Sequence, residues 1–162
     1  MGEDLGLLEF IDRQIGGLEK ELTKIAHEDR QAQRMMTIPG VGAVSAVAIS
    51  CWIGEIGRFS NAKKLASYFG LAPRVRQSGD SERHGHVTKE GNRMVRWLLI
   101  QAALVHTRRG KGPSRKHYLG VAKRRGNQIA RVAVANKLIG AMFHMMKDGI
   151  DYHEYLRRSG AQ

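Results

Sequence analysis

The stretch MMTIPGVGAVSAVAISCW, residues 35–52, does most to decide the fold. Pro39 closes a first helix, since proline is not tolerated in a helix interior. Gly40 and Gly42 let the chain turn sharply, and Ala46 and Ile49 then follow at a spacing that places both on one face of a second helix. The stretch therefore predicts two closely packed helices joined by a short glycine-containing turn.

This arrangement resembles the helix-hairpin-helix motif, in which amide groups at the start of the second helix face a phosphate. We therefore predict that Gly40 and Gly42 contact a nucleic-acid backbone. A plain turn between two helices would contain the same residue types, so that alternative stays open at this point.

The charge of the chain is strongly and unevenly positive. Its 162 residues carry 27 Lys and Arg against 15 Asp and Glu, a net charge of +12 with a pI of about 10.3. Residues 91–147 contain 13 Lys and Arg and no carboxylate. Such a segment predicts a polyanionic partner, because a phosphate backbone attracts it directly. Charge alone does not separate a DNA-binding protein from a ribosome-associated or general RNA-binding protein.

The first segment, residues 1–34, predicts a helical arm that carries an apolar seam. The seam residues follow alternating steps of three and four, as the a and d positions of a coiled coil do: Leu8, Ile11, Ile15, Leu18, Leu22 and Ile25. The seam indicates either a dimerisation arm, which would make the protein a homo-oligomer, or a helix that packs on its own domain. The arm holds 5 Lys and Arg against 8 Asp and Glu, so it is a poor candidate for contact with DNA.

Beyond the arm, hydrophobic periodicity predicts a mainly α-helical domain over residues 35–150 and a polar, frayed tail at 151–162. A loop or short β-hairpin is expected around Ser78, between helices. Trp97 and Ile129 are expected on inward faces of their helices. Cys51, beside Trp52, is expected to be buried.

Several classes of protein are excluded by composition. Cys51 is the only cysteine, which excludes an internal disulfide framework and favours a reducing compartment. The N-terminal residues lack the apolar core of a secretory signal, and no apolar run is long enough for a transmembrane helix. His84 and His86 have the spacing of a metal pair, but a basic loop facing nucleic acid explains them better. No metal site and no cofactor is predicted in this chain.

The stretch GLAPRVRQSGDSERHGHVTKEGN, residues 70–92, carries the candidate chemistry. A serine that attacks phosphorus must lose its proton, and the charge on the phosphate must be stabilised. Ser78 precedes Gly79, which would let a phosphodiester approach the backbone closely. Cationic side chains that would stabilise the phosphate surround this pair: Arg74, Arg76, Arg83, Lys89 and Arg96. Taken alone, these residues also describe an ordinary basic loop.

Further phosphate contacts are predicted on basic segments that follow in the chain. They comprise Arg108, Arg109, Lys111, Arg115, Lys116, Lys123, Arg124 and Arg125. A solvated charged surface is the alternative, but the absence of nearby carboxylates argues against it.

Taken in order, these motifs resemble the C-terminal transposase domain of the insertion-sequence-110 family. The likeness runs from Ile38-Pro39-Gly40-Val41-Gly42 through Phe59, Ala66 and Gly70-Leu71-Ala72-Pro73 to Ser78-Gly79, and on through Gly85, Thr88-Lys89, Gly91-Asn92, Arg96 and Ala102-Ala103. It extends over residues 35–146, which is most of the chain. Each piece is weak alone, whereas the ordered set is specific.

The resemblance implies a DNA transposase or recombinase that works by phosphoryl transfer. In this family a serine becomes covalently joined to DNA, a structured non-coding bridge RNA directs the enzyme to its DNA, and the enzyme acts as an oligomer. The nucleophile position falls on Ser78. Lys89 and Asn92 fall at the start of the adjoining helix, and both are predicted to contact phosphate or nucleic acid. Ser81 is the rival serine, although no glycine follows it. The implied partners are DNA and a guide RNA.

The chain also departs from the family pattern. Family members carry an N-terminal resolvase-type domain whose four acidic residues hold magnesium, and this chain begins with the arm expected after that domain. We therefore expect the chain to be an excised domain or a truncated gene product. We expect it in the bacterial cytoplasm, associated with the nucleoid. It would bind nucleic acid and dimerise without completing strand exchange. The alternative is a non-catalytic helix-hairpin-helix module that binds DNA or RNA.

Overall fold

The structure is a computed structural model that describes residues 2–78, 81–87, 90–109 and 113–160. These residues form helices and one pair of strands in the following order: α1 (Gly2–Glu28), α2 (Arg30–Met36), α3 (Ala43–Ile53), α4 (Ala62–Tyr68), β1 (Pro73–Ser78), β2 (Ser81–Val87), α5 (Arg93–Arg109), α6 (Pro113–Arg125), α7 (Asn127–Asp148) and α8 (Tyr152–Arg158). A short 3₁₀ turn, Ile56–Arg58, lies between α3 and α4. The predicted mainly α-helical class is confirmed.

Helix α7 lies at the centre of the domain and packs against α2, α4, α5, α6 and α8. Its buried side chains extend around much of the helix: Ala130, Val134, Ala135, Leu138, Ile139, Ala141, Met142, Phe143, Met145 and Met146. A helix that is apolar over so much of its circumference is stable only when other elements surround it. The apolar run near the C-terminus of the sequence therefore provides the core of the fold.

The N-terminal arm divides at Asp29. The Asp29 carboxylate accepts a hydrogen bond from the Gln31 amide at 2.7 Å, which caps α2, and another from the hydroxyl of Ser50 on α3. Ala26 is buried and Leu22 is half-buried, because the end of α1 packs on α3. The arm thus packs on its own domain at its C-terminal end, whereas the seam from Leu8 to Leu18 is exposed.

The segment expected to be a frayed tail is instead helix α8. Asp151 caps it by accepting a hydrogen bond from the Glu154 amide at 2.8 Å, and the Tyr152 amide donates to the Thr37 hydroxyl at 2.9 Å. Tyr152, Tyr155 and Leu156 recur at helical spacing and pack against the core, which explains why this polar-looking segment is ordered. The domain boundaries stay a prediction.

Three side chains expected inside are exposed. Trp97 is 57% exposed because α5 buries its opposite face, which contains Val95 and Leu99. Cys51 is exposed for the same reason, since α3 turns Ser50 and neighbouring apolar side chains toward the core. Ile129 is 46% exposed in the first turn of α7. Periodicity thus predicted the helices α3, α5 and α7 but not which way these three side chains face.

Strands β1 and β2 pair in an antiparallel arrangement, with Ser78 opposite Ser81. Gly79, Lys89 and Lys111, for which phosphate contacts are predicted, lie outside the described residues. Within the described part of the chain, no helix is both long and apolar enough to cross a membrane.

Candidate nucleic-acid interface

The β1–β2 hairpin leaves the domain through a close crossing of two backbone segments. Gly70 has φ +67°, and a Cβ added to it would overlap the Glu90 backbone. Gly91 has φ +98°, and a Cβ added there would overlap the Tyr68 carbonyl oxygen. Both positions therefore require glycine, for conformation and for space. The crossing fixes where the hairpin begins and ends.

Two further hydrogen bonds hold the backbone on the side of the crossing that precedes β1. The Asn136 amide on α7 donates to the Leu71 carbonyl oxygen at 3.2 Å. The Arg96 guanidinium on α5 donates to the Phe69 carbonyl oxygen at 3.4 Å. The hairpin is thus joined to the two long helices of the core.

Two residues predicted to contact phosphate make their observed contacts inside the protein. Asn92 accepts a hydrogen bond from the Val95 amide at 2.9 Å and so caps the start of α5. Arg96 is half-buried and faces the end of α4. These contacts position the hairpin, and the predicted contacts of the same residues with nucleic acid remain untested predictions.

The strand register brings candidate residues together along the hairpin. Arg76 lies opposite Arg83, and Ser78 lies opposite Ser81. Arg76 and Ser78 occupy alternate positions of β1, and alternate positions of a regular strand belong to one face of a sheet. Arg74 lies where the register is irregular, between Pro73 and Val75, so the same alternation does not extend to it.

The two predicted glycine contacts in the turn before α3 lie in different surroundings. Gly40 has φ +97° and packs against α5, where an added Cβ would be 2.7 Å from the Ala102 carbonyl oxygen. Gly42 has open space around its α-carbon and begins α3 with no side-chain cap. Gly40 is thus a packing glycine, whereas Gly42 leaves the amides of the first turn of α3 without a side-chain acceptor.

Helix α6 presents an exposed basic surface. Its cations are Arg115, Lys116, Lys123, Arg124 and Arg125, and all are exposed. Arg108 at the end of α5 and Lys137 on α7 are exposed as well. Arg109, the other cation predicted to contact phosphate at this end of α5, is the last residue of the helix.

The cations of α6 are not neutralised within the described residues. Ion pairs in that part of the chain join Glu154 to Arg157 and Arg158 on α8, and no cation of α6 takes part in one. Burial lowers the pKa of His117, and the positive charges of Lys137 and Arg124 lower it further. The helix therefore carries uncompensated positive potential, which attracts anions.

Helix α5 carries an exposed aromatic ring next to an exposed cation. Trp97 is 57% exposed, and Arg93 on the same helix is exposed too. Exposed aromatic rings beside cations suit the stacking of unpaired bases. Among the side chains that the structure describes, no group of three or more His, Cys, Asp or Glu could hold a metal ion.

Sequence reasoning missed the residues that anchor the hairpin. The Gly70–Gly91 crossing joins residues far apart in sequence, so neither glycine alone indicates its partner. The capping role of Asn92 had a local signal, because Asn is favoured immediately before a helix. The bond from Asn136 to Leu71 had none, since it depends on how α7 packs.

Comparison with known proteins matches the chain to one transposase family and to proteins of insertion elements. The family pattern described as "Transposase IS116/IS110/IS902 family" matches residues 32–120. The transposase for insertion sequence element IS1111A of Coxiella burnetii is 37% identical over 129 residues, which cover 78% of this chain and 35% of that protein. A probable family 20 transposase of Pseudomonas aeruginosa is 31% identical over 133 residues, or 80% of this chain and 39% of that protein.

A third relative is the insertion element IS116 uncharacterized 44.8 kDa protein of Streptomyces clavuligerus. It is 30% identical over 142 residues, which cover 85% of this chain and 35% of that protein. The chain thus matches little more than a third of the length of each of these relatives.

Proposed function

The chain belongs to the IS116/IS110/IS902 family of transposases, and from this premise we propose that it binds DNA and supplies Ser78 as the nucleophile of DNA strand transfer. The register of the hairpin is the observation that carries the proposal. It gives Ser78 and Arg76 alternate positions on β1 and sets Arg83 opposite Arg76.

Two arginines at opposite positions of a strand pair repel one another. An anion bound between them would remove this cost, because each guanidinium can donate hydrogen bonds to phosphate oxygens. The Arg76–Arg83 pairing therefore favours a bound phosphodiester beside Ser78. Such an arrangement is useful for chemistry, since the negative charge that develops on phosphorus oxygens is stabilised where it appears.

The reaction is a transesterification at phosphorus. The Ser78 hydroxyl loses its proton as its oxygen forms a bond to phosphorus. The bond from phosphorus to one deoxyribose oxygen breaks, and that oxygen leaves with the electron pair and takes up a proton. The product is a serine–phosphate diester. It conserves the energy of the broken phosphodiester bond for the later step that joins the strands.

Three surfaces are proposed to bind the parts of the DNA strands that lie away from Ser78. The exposed cations of α6 match a phosphate backbone, and the uncapped start of α3 at Gly42 offers amide donors. Exposed Trp97 suits stacking on an unpaired base. A structured guide RNA would use the same chemistry, so we propose RNA as a second partner.

Magnesium does not fit the described residues of this chain. They contain no cluster of acidic side chains that could hold it. We therefore propose that residues 1–162 supply the nucleophile and binding surfaces, and that strand transfer also needs the acidic resolvase-type domain implied by the family resemblance.

We further propose that the arm forms a dimer through the exposed seam of α1. Ile11, Ile15 and Leu18 are between 42% and 60% exposed, although they occupy coiled-coil core positions. A second copy of the arm would bury them. Phe10 is 52% exposed and lies off the seam, so it provides a matched control.

The nucleophile is tested by trapping the protein on nicked suicide DNA, with the acidic domain supplied as a separate polypeptide. We expect a covalent adduct with the wild type and none with Ser78→Ala, while the affinity for DNA stays within about twofold. Ser81→Ala, at the register partner, is expected to keep the adduct. If the wild type forms no adduct, the chain is a non-catalytic binding module.

The dimer is tested by light scattering after size-exclusion chromatography. Ile15→Asp should convert a dimer into a monomer, because a charge at a core position of a coiled coil is costly to bury. Phe10→Asp should leave the mass unchanged. A monomeric wild type, or equal disruption by both variants, would exclude the seam as the interface.

A further inference from the structure

A cavity of about 370 Å³ lies beside α8, bordered by α7, the start of α6 and the turn before α3. Buried His106 and Tyr152 line it, together with exposed Arg115 and Lys137. Cavities of about 300–1,000 Å³ with a few convergent polar groups are typical of sites for small ligands. Nothing in the proposed chemistry of Ser78 uses these residues.

The buried end of the cavity is a fixed chain of hydrogen bonds. His106 Nδ1 lies 3.0 Å from the Pro39 carbonyl oxygen, which can only accept, so Nδ1 carries the proton. The Tyr152 hydroxyl, 3.3 Å from Nε2, therefore donates to His106. Pro39, His106 and Tyr152 thus form one chain of hydrogen bonds, which holds the two rings at this end of the cavity in place.

One wall of the cavity is aromatic. The rings of Tyr152 and Tyr155 are stacked with their centroids 6.2 Å apart and an angle of 21° between their planes. Pro39 and Leu156 add apolar surface to the lining. The Tyr155 ring also stacks with His144, with centroids 6.3 Å apart. Aromatic and apolar lining of this kind favours a ligand that carries an aromatic ring.

The exposed side of the cavity is cationic. Arg115 and Lys137 both line it, and no carboxylate occurs among the lining residues that the structure describes. The positive charge of Lys137 also acts on nearby His117, whose pKa it helps to lower. Of the two acidic residues at α8, Glu154 pairs with Arg157 and Arg158, and Asp151 accepts the hydrogen bond that caps the helix. The cavity therefore favours a ligand with an anionic end.

We propose that this cavity binds one unpaired nucleotide of a nucleic-acid strand. The base lies against the Tyr152–Tyr155 wall, and its phosphate contacts Arg115 and Lys137. A nucleotide combines the two properties that the lining selects, an aromatic ring and a phosphate anion. The inference rests on the proposed function in one respect only, that the protein binds nucleic acid.

The first test is a titration of the protein with AMP, adenosine and inorganic phosphate, followed by NMR. AMP should bind at least about tenfold more tightly than phosphate, because stacking adds to the ionic contact. Lys137→Gln should weaken AMP binding about fivefold or more. Lys123→Gln, which removes an exposed cation of α6 outside the cavity, should change it less than about twofold.

Two results of this titration would overturn the proposal. The first is phosphate binding as tightly as AMP, which would reduce the site to a cluster of cations. Alternatively, Lys137→Gln and Lys123→Gln would have equal effects, which would place AMP on the general basic surface.

The second test identifies the strand that supplies the nucleotide. Single-stranded DNA and RNA of the same sequence, each with one 2-aminopurine, are titrated with the wild type and with Tyr155→Leu. Insertion into the cavity should change the fluorescence with the wild type and at least halve that change with Tyr155→Leu. The strand that responds, DNA or RNA, is the source of the nucleotide.

The outcomes separate this inference from the proposed function. If both strands bind with the same fluorescence change in the wild type and Tyr155→Leu, the cavity is not a nucleotide site and DNA binding stands. If neither strand binds any variant in low salt, the proposed binding function fails as well.

Discussion

The α-carbon of Gly70 lies directly against the backbone of Glu90, where the chain enters and leaves the β1–β2 hairpin. Gly91 packs against the Tyr68 carbonyl oxygen in the same way. The position of Ser78 relative to the core therefore depends on a contact between two backbones that leaves no room for a side chain. The hairpin is anchored by geometry that only glycine permits.

Gly70→Ala should destabilise the protein by more than the cost of placing alanine in the left-handed backbone conformation of Gly70. A non-glycine residue in the left-handed region costs roughly 1–2 kcal/mol, and overlap with Glu90 should add about 1–3 kcal/mol. Gly149→Ala is the matched control, because Gly149 has φ +70° but an added Cβ would meet only an arginine side chain at 3.4 Å. Urea unfolding measures both variants, and equal losses would contradict the crossing.

Asp29→Ala should loosen the joint between the arm and the domain. It removes the cap of α2 and leaves the buried Ser50 hydroxyl without its partner. We expect a loss of about 2–3 kcal/mol in the free energy of unfolding. Asp151→Ala removes only an exposed cap, that of α8, and should cost about 1 kcal/mol. A smaller loss for Asp29→Ala than for Asp151→Ala would show that the Ser50 contact does not matter.

Stability should fall on mild acidification because of His106. Burial lowers the pKa of His106 in the folded protein below its ordinary value of 6.5, although the bond to Pro39 acts in the opposite direction. Between these two values the unfolded chain binds more protons than the native one. The free energy of unfolding therefore decreases as pH falls below 6.5, by at most about 1.4 kcal/mol per pH unit.

This pH dependence is measured by urea unfolding at pH 7.5 and 5.5. His106→Gln should be less sensitive to pH than the wild type, and part of the remaining sensitivity should come from His117, whose pKa is lowered too. An identical pH dependence in the wild type and His106→Gln would show that His106 is not buried in its neutral form.

The salt dependence of DNA binding should locate the basic surface on α6. Replacing Lys123, Arg124 and Arg125 by Gln should reduce the slope of log K against log salt by about 2–3, because each phosphate contact contributes about 0.9. Arg157 and Arg158 already pair with Glu154, so their replacement by Gln should leave the slope nearly unchanged. Filter binding between 50 and 200 mM salt, about the range over which such slopes are resolved, provides the measurement.

Local sequence patterns predicted much of the helical framework. The apolar run of α7 and the glycine turn before α3 are visible as short-range spacing, and both correspond to observed elements. Helix α8 was missed because its sequence is mostly polar, and its order comes from tertiary contacts such as that between Tyr152 and Thr37.

The candidate site was less predictable, for two physical reasons. Trp97 was expected in the core because it belongs to an apolar run, but only the packing of α5 decides which of its faces is buried. The cavity at His106 and Tyr152 joins residues that are 46 apart in sequence, so no local pattern indicates it. Ser78 itself was singled out by family resemblance together with its basic surroundings.

The most direct test of the account is to identify the amino acid that carries DNA after trapping. The wild-type adduct, formed on suicide DNA in the presence of the acidic domain, is digested with protease and nuclease and sequenced by mass spectrometry. The account predicts a nucleotide remnant on Ser78 and none on Ser81. A remnant on Ser81, or on any residue outside the hairpin, would contradict it.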